Sequence, residues 1–200
     1  MPLFSQLEEM QWKQLQHDEA YHKEIWLLTV QQRITHMTLH MSKYSSKLTI
    51  AAFERDSETL KKTAIDALII AFSCANIFSK LLSKFALPES FSSQESIDSA
   101  AEKIFHSYDF YSSDPDTKIT LEILGCTGRM CKLVESLDHL ETLEYREGIL
   151  DNIASIFKAL LALCYSSDMR DIPEKIANRL YEVESKNYFF NKLGNYKKGY

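Results

Sequence analysis

The chain has 200 residues, of which 45% are apolar and 26% charged, and its formal net charge is −5. This composition is typical of a globular protein of one or two domains, and the acidic balance argues against bulk nucleic-acid binding through the whole surface. Only five Gly and four Pro occur, and the first Gly is Gly125. The sequence therefore predicts an all-α fold and excludes a glycine-rich phosphate loop before that residue.

The compartment is predicted from the N-terminus, the apolar runs and the cysteines. The start MPLFSQLEEMQW lacks the basic and apolar regions of a secretion signal, and the apolar runs 64–72 and 153–165 look too short or interrupted to span a bilayer. The cysteines lie among apolar residues and form no CxxC motif: Cys74, Cys126, Cys131 and Cys164. We expect four buried free thiols in a cytoplasmic protein without membrane contact.

Hydrophobic periodicity predicts about seven helices in chain order. Ser5 and Glu8 have the spacing of a capping box, and Ser92 and Glu95 suggest another cap in a serine-rich loop after Pro88. Asp114-Pro115 within YSSDPDT is a turn and helix-start signal, and it marks the best candidate linker. The predicted helices cover about residues 5–16, 18–52, 57–84, 92–110, 116–138, 142–166 and 172–187.

The chain divides into two similar halves, 1–112 and 113–200. In each, a helix with basic residues precedes a strongly apolar helix, then a turn ending in Pro-Glu (Pro88-Glu89 and Pro173-Glu174) and a further helix. A single helical pair cannot bury its own apolar faces. The pattern therefore predicts an internal duplication whose two copies stack as a four-helix core, either as two domains or as one.

One predicted helix carries a stripe of basic side chains. The residues are spaced by three or four, which places them within one narrow arc of a helix: Arg33, His36, His40, Lys43 and Lys47. An apolar arc runs beside the stripe: Trp26, Val30, Met37, Met41, Tyr44 and Leu48. His17 and His22 precede the stripe by about one helix length, and we expect them on the surface.

Asp66 is the single carboxylate within the apolar segment AIDALIIAFSCANIF. A buried lone carboxylate is costly unless it is paired. We therefore predict that Asp66 is buried against the helix 18–52 and contacts Arg33, His36, His40 or Lys43. These five residues form the predicted ligand site between two helices.

The stretch from Leu124 to Lys186 resembles the MazG-type all-α nucleoside triphosphate pyrophosphohydrolases, with GRMCKLVESL and EGILDNIASIFKALLALCYSSDMRDIPEKIANRLYEVESK as the matching segments. The first half resembles them through ITHMTLHMSKYSSKL and LKKTAIDALIIAF. The resemblance implies an ExxE and an ExxD motif whose acids hold Mg²⁺. In the second half the aligned residues are Arg129, Lys132, Asn152 and Ser155. In the first half the ExxE region holds Arg33, His36 and His40, and the ExxD region holds Thr63 and Asp66.

Asp66 is the one acid among these residues. We therefore expect a MazG-like protein that binds phosphate or a nucleotide, needs no cofactor or metal, and lacks Mg²⁺-dependent pyrophosphohydrolase activity. Binding should weaken above about pH 6.5 if protonated histidines contribute. Two alternatives stay open: an enzyme using His36 or His40 with Asp66, and a helical interaction module, including a homodimer. A metal held by His36, His40 and Asp66 is disfavoured because Arg33 and Lys43 would repel it.

Overall fold

The protein is all-α, as predicted. The computed structural model describes residues 2–87, 90–91, 95–110, 114–139, 141–142 and 144–192, and this part of the chain contains no strand. Its helices are α1 (Leu3–Tyr21), α2 (Lys23–Trp26), α3 (Val30–Glu54), α4 (Ser57–Ile77), α5 (Leu82–Phe85), α6 (Ile97–His106), α7 (Pro115–Asp138), α8 (Tyr145–Ser166) and α9 (Ile172–Lys192).

The helix starts correct two of the sequence predictions. The predicted helix 18–52 is interrupted between α1 and α3, and α3 begins at a capping box in which the Gln32 N–H donates to Thr29 Oγ1 at 3.2 Å. Ser5 does not cap α1, because the helix already begins at Leu3. Residues 88, 89 and 92 lie outside the described residues, and α6 is capped by Ser96, which accepts from the Ser99 N–H.

Four long helices form the core as a ring of neighbours: α3 packs on α4, α4 on α8, α8 on α7, and α7 back on α3. The ring consists of two helical hairpins, α3–α4 and α7–α8. Phe72 and Phe157, one from each hairpin, meet at the centre with ring centroids 6.0 Å apart. Gly148 allows close approach within the second hairpin, since a Cβ there would lie 2.9 Å from a methyl group of Leu133.

Each half of the chain also covers the other. Helix α6, from the first half, packs on α8, whereas α9, from the second half, packs on α4 and α1. The buried apolar residues form one continuous cluster drawn from both halves. The halves therefore share one core, while their origin by duplication stays a prediction.

Helix α1 is fixed to α4 by buried polar side chains. The Gln11 side-chain amide donates to Asn76 Oδ1 at 2.9 Å, and Gln14 donates to Ser73 Oγ at 3.1 Å. Asp18 accepts from the Ser73 hydroxyl at 2.7 Å. This network sets the position of α1 and of the α1–α2 corner beside α3.

Helix α8 corrects the expectation that the apolar runs are too short or interrupted to span a bilayer. It is long enough and apolar enough to cross a membrane by length and composition, with a mean hydropathy of 1.4 over its most apolar window. However, 67% of that window is buried among the other helices, as in a core helix.

The cysteines follow the prediction in three of four cases. Cys74, Cys126 and Cys164 are buried free thiols, whereas Cys131 is free but exposed on α7, so its predicted burial is wrong. Burial raises the pKa of both Cys74 and Cys164 to about 12. These two thiols therefore stay protonated at neutral pH.

Candidate functional site: the basic face of α3

The basic stripe is a real face of α3, and we call Arg33, His36, His40, Lys43 and Lys47 the α3 basic face. The rings of His36 and His40 lie together, with centroids 4.5 Å apart. The next ring along the helix is Tyr44, whose centroid lies 6.3 Å from that of His40. Of the predicted apolar arc beside it, Met37, Met41 and Leu48 are buried, Tyr44 is half-buried, and Trp26 and Val30 are exposed.

Arg33 forms the end of the face nearest to the α1–α2 corner. Its guanidinium lies over the ring of Trp26, 5.0 Å from the centroid, and its buried Nε–H has no hydrogen-bond partner. Arg33 also lines a small cavity of about 20 Å³ together with Asp18 and Asn76. That volume holds about one water molecule. A larger ligand must therefore bind outside the cavity, on the open side of Arg33.

Both histidines of the α3 basic face are biased towards the neutral form. Burial lowers the pKa of His40 to about 4, and Lys43 and His36 add to the effect. Burial also lowers the pKa of His36, with His22 as the next contributor. The predicted change in binding near pH 6.5 therefore loses its basis for the free protein, because both rings are already mostly neutral at that pH.

The cations of the face have no acidic partners among the described residues. Lys43 lies over the ring of Tyr44 at 4.3 Å, and no carboxylate in this part of the chain comes within 4.0 Å of Arg33, Lys43 or Lys47. His40 Nδ1 is buried and also lacks a partner. The face thus presents positive charge and unused hydrogen-bonding groups together.

Asp66 is the main correction to the predicted site. Its hydrogen-bonded partner is Arg179 of α9, with Nε–Oδ1 at 2.6 Å and Nη2–Oδ2 at 3.3 Å. The prediction that Asp66 pairs with a cation of α3 is therefore wrong. Asp66 is also not fully buried, since 16% of its side chain is exposed, against 20% for Arg179. Arg179 additionally donates to Glu182 at 2.9 Å.

The register of the first hairpin explains why the α3 cations miss Asp66. Because α3 and α4 run antiparallel, Arg33 lies beside Asn76 and Ile77 at the far end of α4. The α3 residue within electrostatic reach of Asp66 is Tyr44, whose pKa is raised by burial and then by that carboxylate. The residues aligned with ExxE and ExxD in the first half are thus not gathered into one site.

The second half brings two of its aligned residues together. Arg129 Nε donates to Asn152 Oδ1 at 2.9 Å and Nη2 to Cys126 Sγ at 2.9 Å. Lys132 instead pairs with Glu135 and Glu141, each at 2.9 Å. An arginine–asparagine hydrogen bond stands where the resemblance implies paired acids, and neither side chain offers a carboxylate to Mg²⁺.

The metal alternative lacks its third ligand. Asp66 is held by Arg179, and the described residues contain no group of three or more His, Cys, Asp or Glu side chains placed to hold a metal. The enzyme alternative needs the same Asp66 beside His36 or His40. Neither arrangement is formed.

Other residues near the face escaped the sequence analysis. His17, expected on the surface, is 4% exposed and contacts Glu184 of α9 at 3.2 Å. Asp18 is largely buried, and burial raises its pKa. The hydrogen bond from Ser73 acts in the opposite direction but has the smaller effect. Both lie in the polar sequence QHDEAYHKE, which gives no signal of burial. Arg179 likewise looks like an ordinary surface residue three positions before Glu182.

The fold and the face define an all-α helical protein with an unpaired basic surface. No protein-family model, no curated protein and no solved structure matches this chain. The MazG-type resemblance therefore stays a prediction from sequence pattern, and the functional argument depends on the residues themselves.

Proposed function

We propose that this protein binds a phosphorylated small molecule, such as a nucleotide, on the α3 basic face, and that it does so without metal-dependent hydrolysis. The observation that carries the proposal is a set of three cations that have no carboxylate within 4.0 Å among the described residues: Arg33, Lys43 and Lys47. Unpaired cations on neighbouring turns of one helix attract a multivalent anion, and each phosphate contact neutralises charge that the fold leaves uncompensated.

The ligand contacts follow from the chemistry of each side chain. Arg33 offers a planar fork of N–H donors, which matches two phosphate oxygens at once. His36 and His40 are predominantly neutral, so each supplies one N–H donor without adding charge. Lys43 contributes a mobile point charge nearer the C-terminal end of the face. The exposed ring of Trp26 and the half-buried ring of Tyr44 offer surfaces on which a nucleobase can stack.

A catalytic role is less well supported than binding. General acid–base chemistry on this face needs a carboxylate to orient a histidine, and Asp66 is instead held by two hydrogen bonds from Arg179. The buried thiols, with their raised pKa values, are poor nucleophiles. We place the protein in the cytoplasm, in keeping with these reduced cysteines.

A second candidate, self-association, is favoured by exposed apolar side chains on α3 and α7: Leu39, Ile50, Phe53, Leu121 and Leu124. A second copy of the chain would remove them from water, which is the main driving force of such association. Light scattering tests this candidate: a monomer at micromolar concentration excludes it, and a dimer converted to a monomer by Phe53→Lys supports it.

Thermal denaturation with a ligand panel tests the binding proposal. Phosphate, pyrophosphate, AMP, ADP, ATP and GTP are each added at millimolar concentration, with chloride matched for ionic strength. A ligand that binds only the folded state raises Tm. At a free ligand concentration of a hundred times Kd, it increases the free energy of unfolding by about 2.7 kcal/mol. If none of the six raises Tm in the parent protein, the proposal fails.

A further inference from the structure

A second basic site lies on the other side of Asp66, in a groove between α4 and α9. Its walls carry Lys61 and Lys62 from the second turn of α4 and Lys175 and Arg179 from α9. The groove has a volume of about 320 Å³, an order of magnitude above the cavity beside Arg33. It is therefore large enough to hold a small organic phosphate rather than a single water.

The charges in this groove are only partly compensated. Arg179 is paired with Asp66 and Glu182, while no described carboxylate lies within 4.0 Å of Lys62 or Lys175. Lys61 is within electrostatic reach of Asp116 on α7. Four cations thus line the groove together with one carboxylate, Glu182, which accepts a hydrogen bond from Arg179. Among the described residues, Lys62 and Lys175 have no acid within 4.0 Å.

Arg179 is held in place by two carboxylates but keeps free hydrogen-bond donors. A guanidinium has five N–H donors, and three of them bind Asp66 and Glu182. Two N–H groups remain, on a side chain whose orientation is fixed by both carboxylates. A donor fixed in advance loses little entropy when it binds an anion.

The floor of the groove is apolar. Ile65 and Met169 line it and are 5% and 3% exposed. Met169 is anchored by its backbone N–H, which donates to the Cys164 carbonyl at 2.8 Å. A ligand that fits this groove therefore combines an anionic end with an apolar body.

We infer that the α4–α9 groove is a second ligand site, which binds an organic phosphate monoester through Lys62, Lys175 and Arg179 with its apolar part against Ile65 and Met169. The site is independent of the α3 basic face, because no residue of that face lines it. Phosphate monoesters carry close to two negative charges at neutral pH, which matches the two lysines that lack acids.

Calorimetry with phenyl phosphate and with inorganic phosphate tests this inference. The Lys62→Ala/Lys175→Ala protein should bind phenyl phosphate at least about tenfold more weakly than the parent, since it loses two charge-assisted hydrogen bonds to the phosphate. The control Lys80→Ala/Lys84→Ala removes two exposed lysines beyond the opposite end of α4 and loses the same charge. It should retain the parent affinity within about threefold. Circular dichroism verifies that each variant is folded.

The variant Arg33→Ala separates this inference from the proposed function. In the Arg33→Ala background, Lys62→Ala/Lys175→Ala should still weaken phenyl phosphate binding at least about tenfold, because Arg33 is not part of the groove. Loss of binding in Arg33→Ala, with binding kept in the double lysine variant, assigns the anion to the α3 basic face and overturns the second site. Absence of heat with either phosphate compound at millimolar concentration overturns it as well.

Discussion

At the scale of single residues, the half-buried histidines of the α3 basic face should lower the stability of the protein when they are protonated. His40 is half-buried beside Lys43 and His36, and its low pKa means that protonation favours the unfolded chain. The sequence shows the two histidines one turn apart but not their burial, because burial depends on how the helices pack. Spacing alone therefore predicted the stripe but not its protonation state.

We predict that His40→Gln makes stability less sensitive to acid. Because the pKa of His40 is about 4 in the folded protein and about 6.5 in the unfolded chain, the folded state loses stability as the pH falls from 6.5 towards 4. The Tm of the parent should thus fall further between pH 7.5 and 4.5 than that of the variant. His106→Gln, an exposed histidine on α6, is the control and should follow the parent. Parallel curves for His40→Gln and the parent would contradict the prediction.

The pair Asp66–Arg179 gives a second prediction at this scale. Removing either partner leaves the other partly buried without its counter-charge, so Asp66→Ala and Arg179→Ala should each destabilise the protein. Because both side chains are partly exposed, we expect a loss between about 1 kcal/mol for an exposed pair and about 3–5 kcal/mol for a buried one. Urea unfolding of both single variants and the double variant gives the coupling energy. Strict additivity of the two single losses would show that the pair contributes nothing.

At the scale of helices, the place of the long elements could be predicted, and so could the starts of α4, α7 and α9, but the starts of α1 and α3 could not. The sequence Thr29-x-x-Gln32 has the spacing of a capping box, yet the hydrophobic periodicity of the surrounding residues favoured one continuous helix. Conversely, Ser5-x-x-Glu8 fits a capping box but lies inside α1, where the chain already turns at Pro2. A local motif shows where a helix can begin. For α1, the packing against α4 favours a start before Ser5.

This difference can be measured with two single substitutions. Thr29→Ala should destabilise the protein by about 1 kcal/mol, because the cap of α3 loses its side-chain acceptor. Ser5→Ala, the matched control at the false cap, should change stability by less than about 0.5 kcal/mol. Thr29→Ser should keep most of the parent stability. Equal losses for Thr29→Ala and Ser5→Ala in chemical denaturation would refute the assigned start of α3.

At the scale of the whole molecule, the four-helix core of two hairpins matches the arrangement predicted from the two apolar segments. What the pattern did not reveal is that α6 covers α8 and α9 covers α4. An amphipathic helix shows which of its faces is buried but not against which partner. This exchange across the halves is also why Asp66 meets Arg179, 113 positions away in the chain.

The near-complete loss of carboxylates at the aligned positions, where only Asp66 remains, leads to a prediction about activity. The purified protein should release no pyrophosphate from ATP, GTP, CTP or any deoxynucleoside triphosphate in the presence of Mg²⁺. The aligned residues of the second half offer no carboxylate to the ion, and Asp66 in the first half is held by Arg179. A pyrophosphate-release assay with and without EDTA checks this. Turnover that EDTA abolishes would mean that the catalytic acids lie elsewhere in the chain.

The central claim is that the α3 basic face binds a phosphorylated ligand, and calorimetry on Arg33→Ala tests it most directly. The control Arg170→Ala also removes an arginine that lies over an aromatic ring, Tyr165 at 4.8 Å, far from the face in sequence. With the panel ligand that raises Tm most, Arg33→Ala should bind at least about tenfold more weakly, Lys47→Ala somewhat more weakly, and Arg170→Ala like the parent. Affinity in the parent should also fall as NaCl is raised from 50 to 300 mM. The added salt shortens the Debye length to about half or less and screens the attraction between the cations and the ligand. Equal affinity in the parent and in Arg33→Ala would contradict the account.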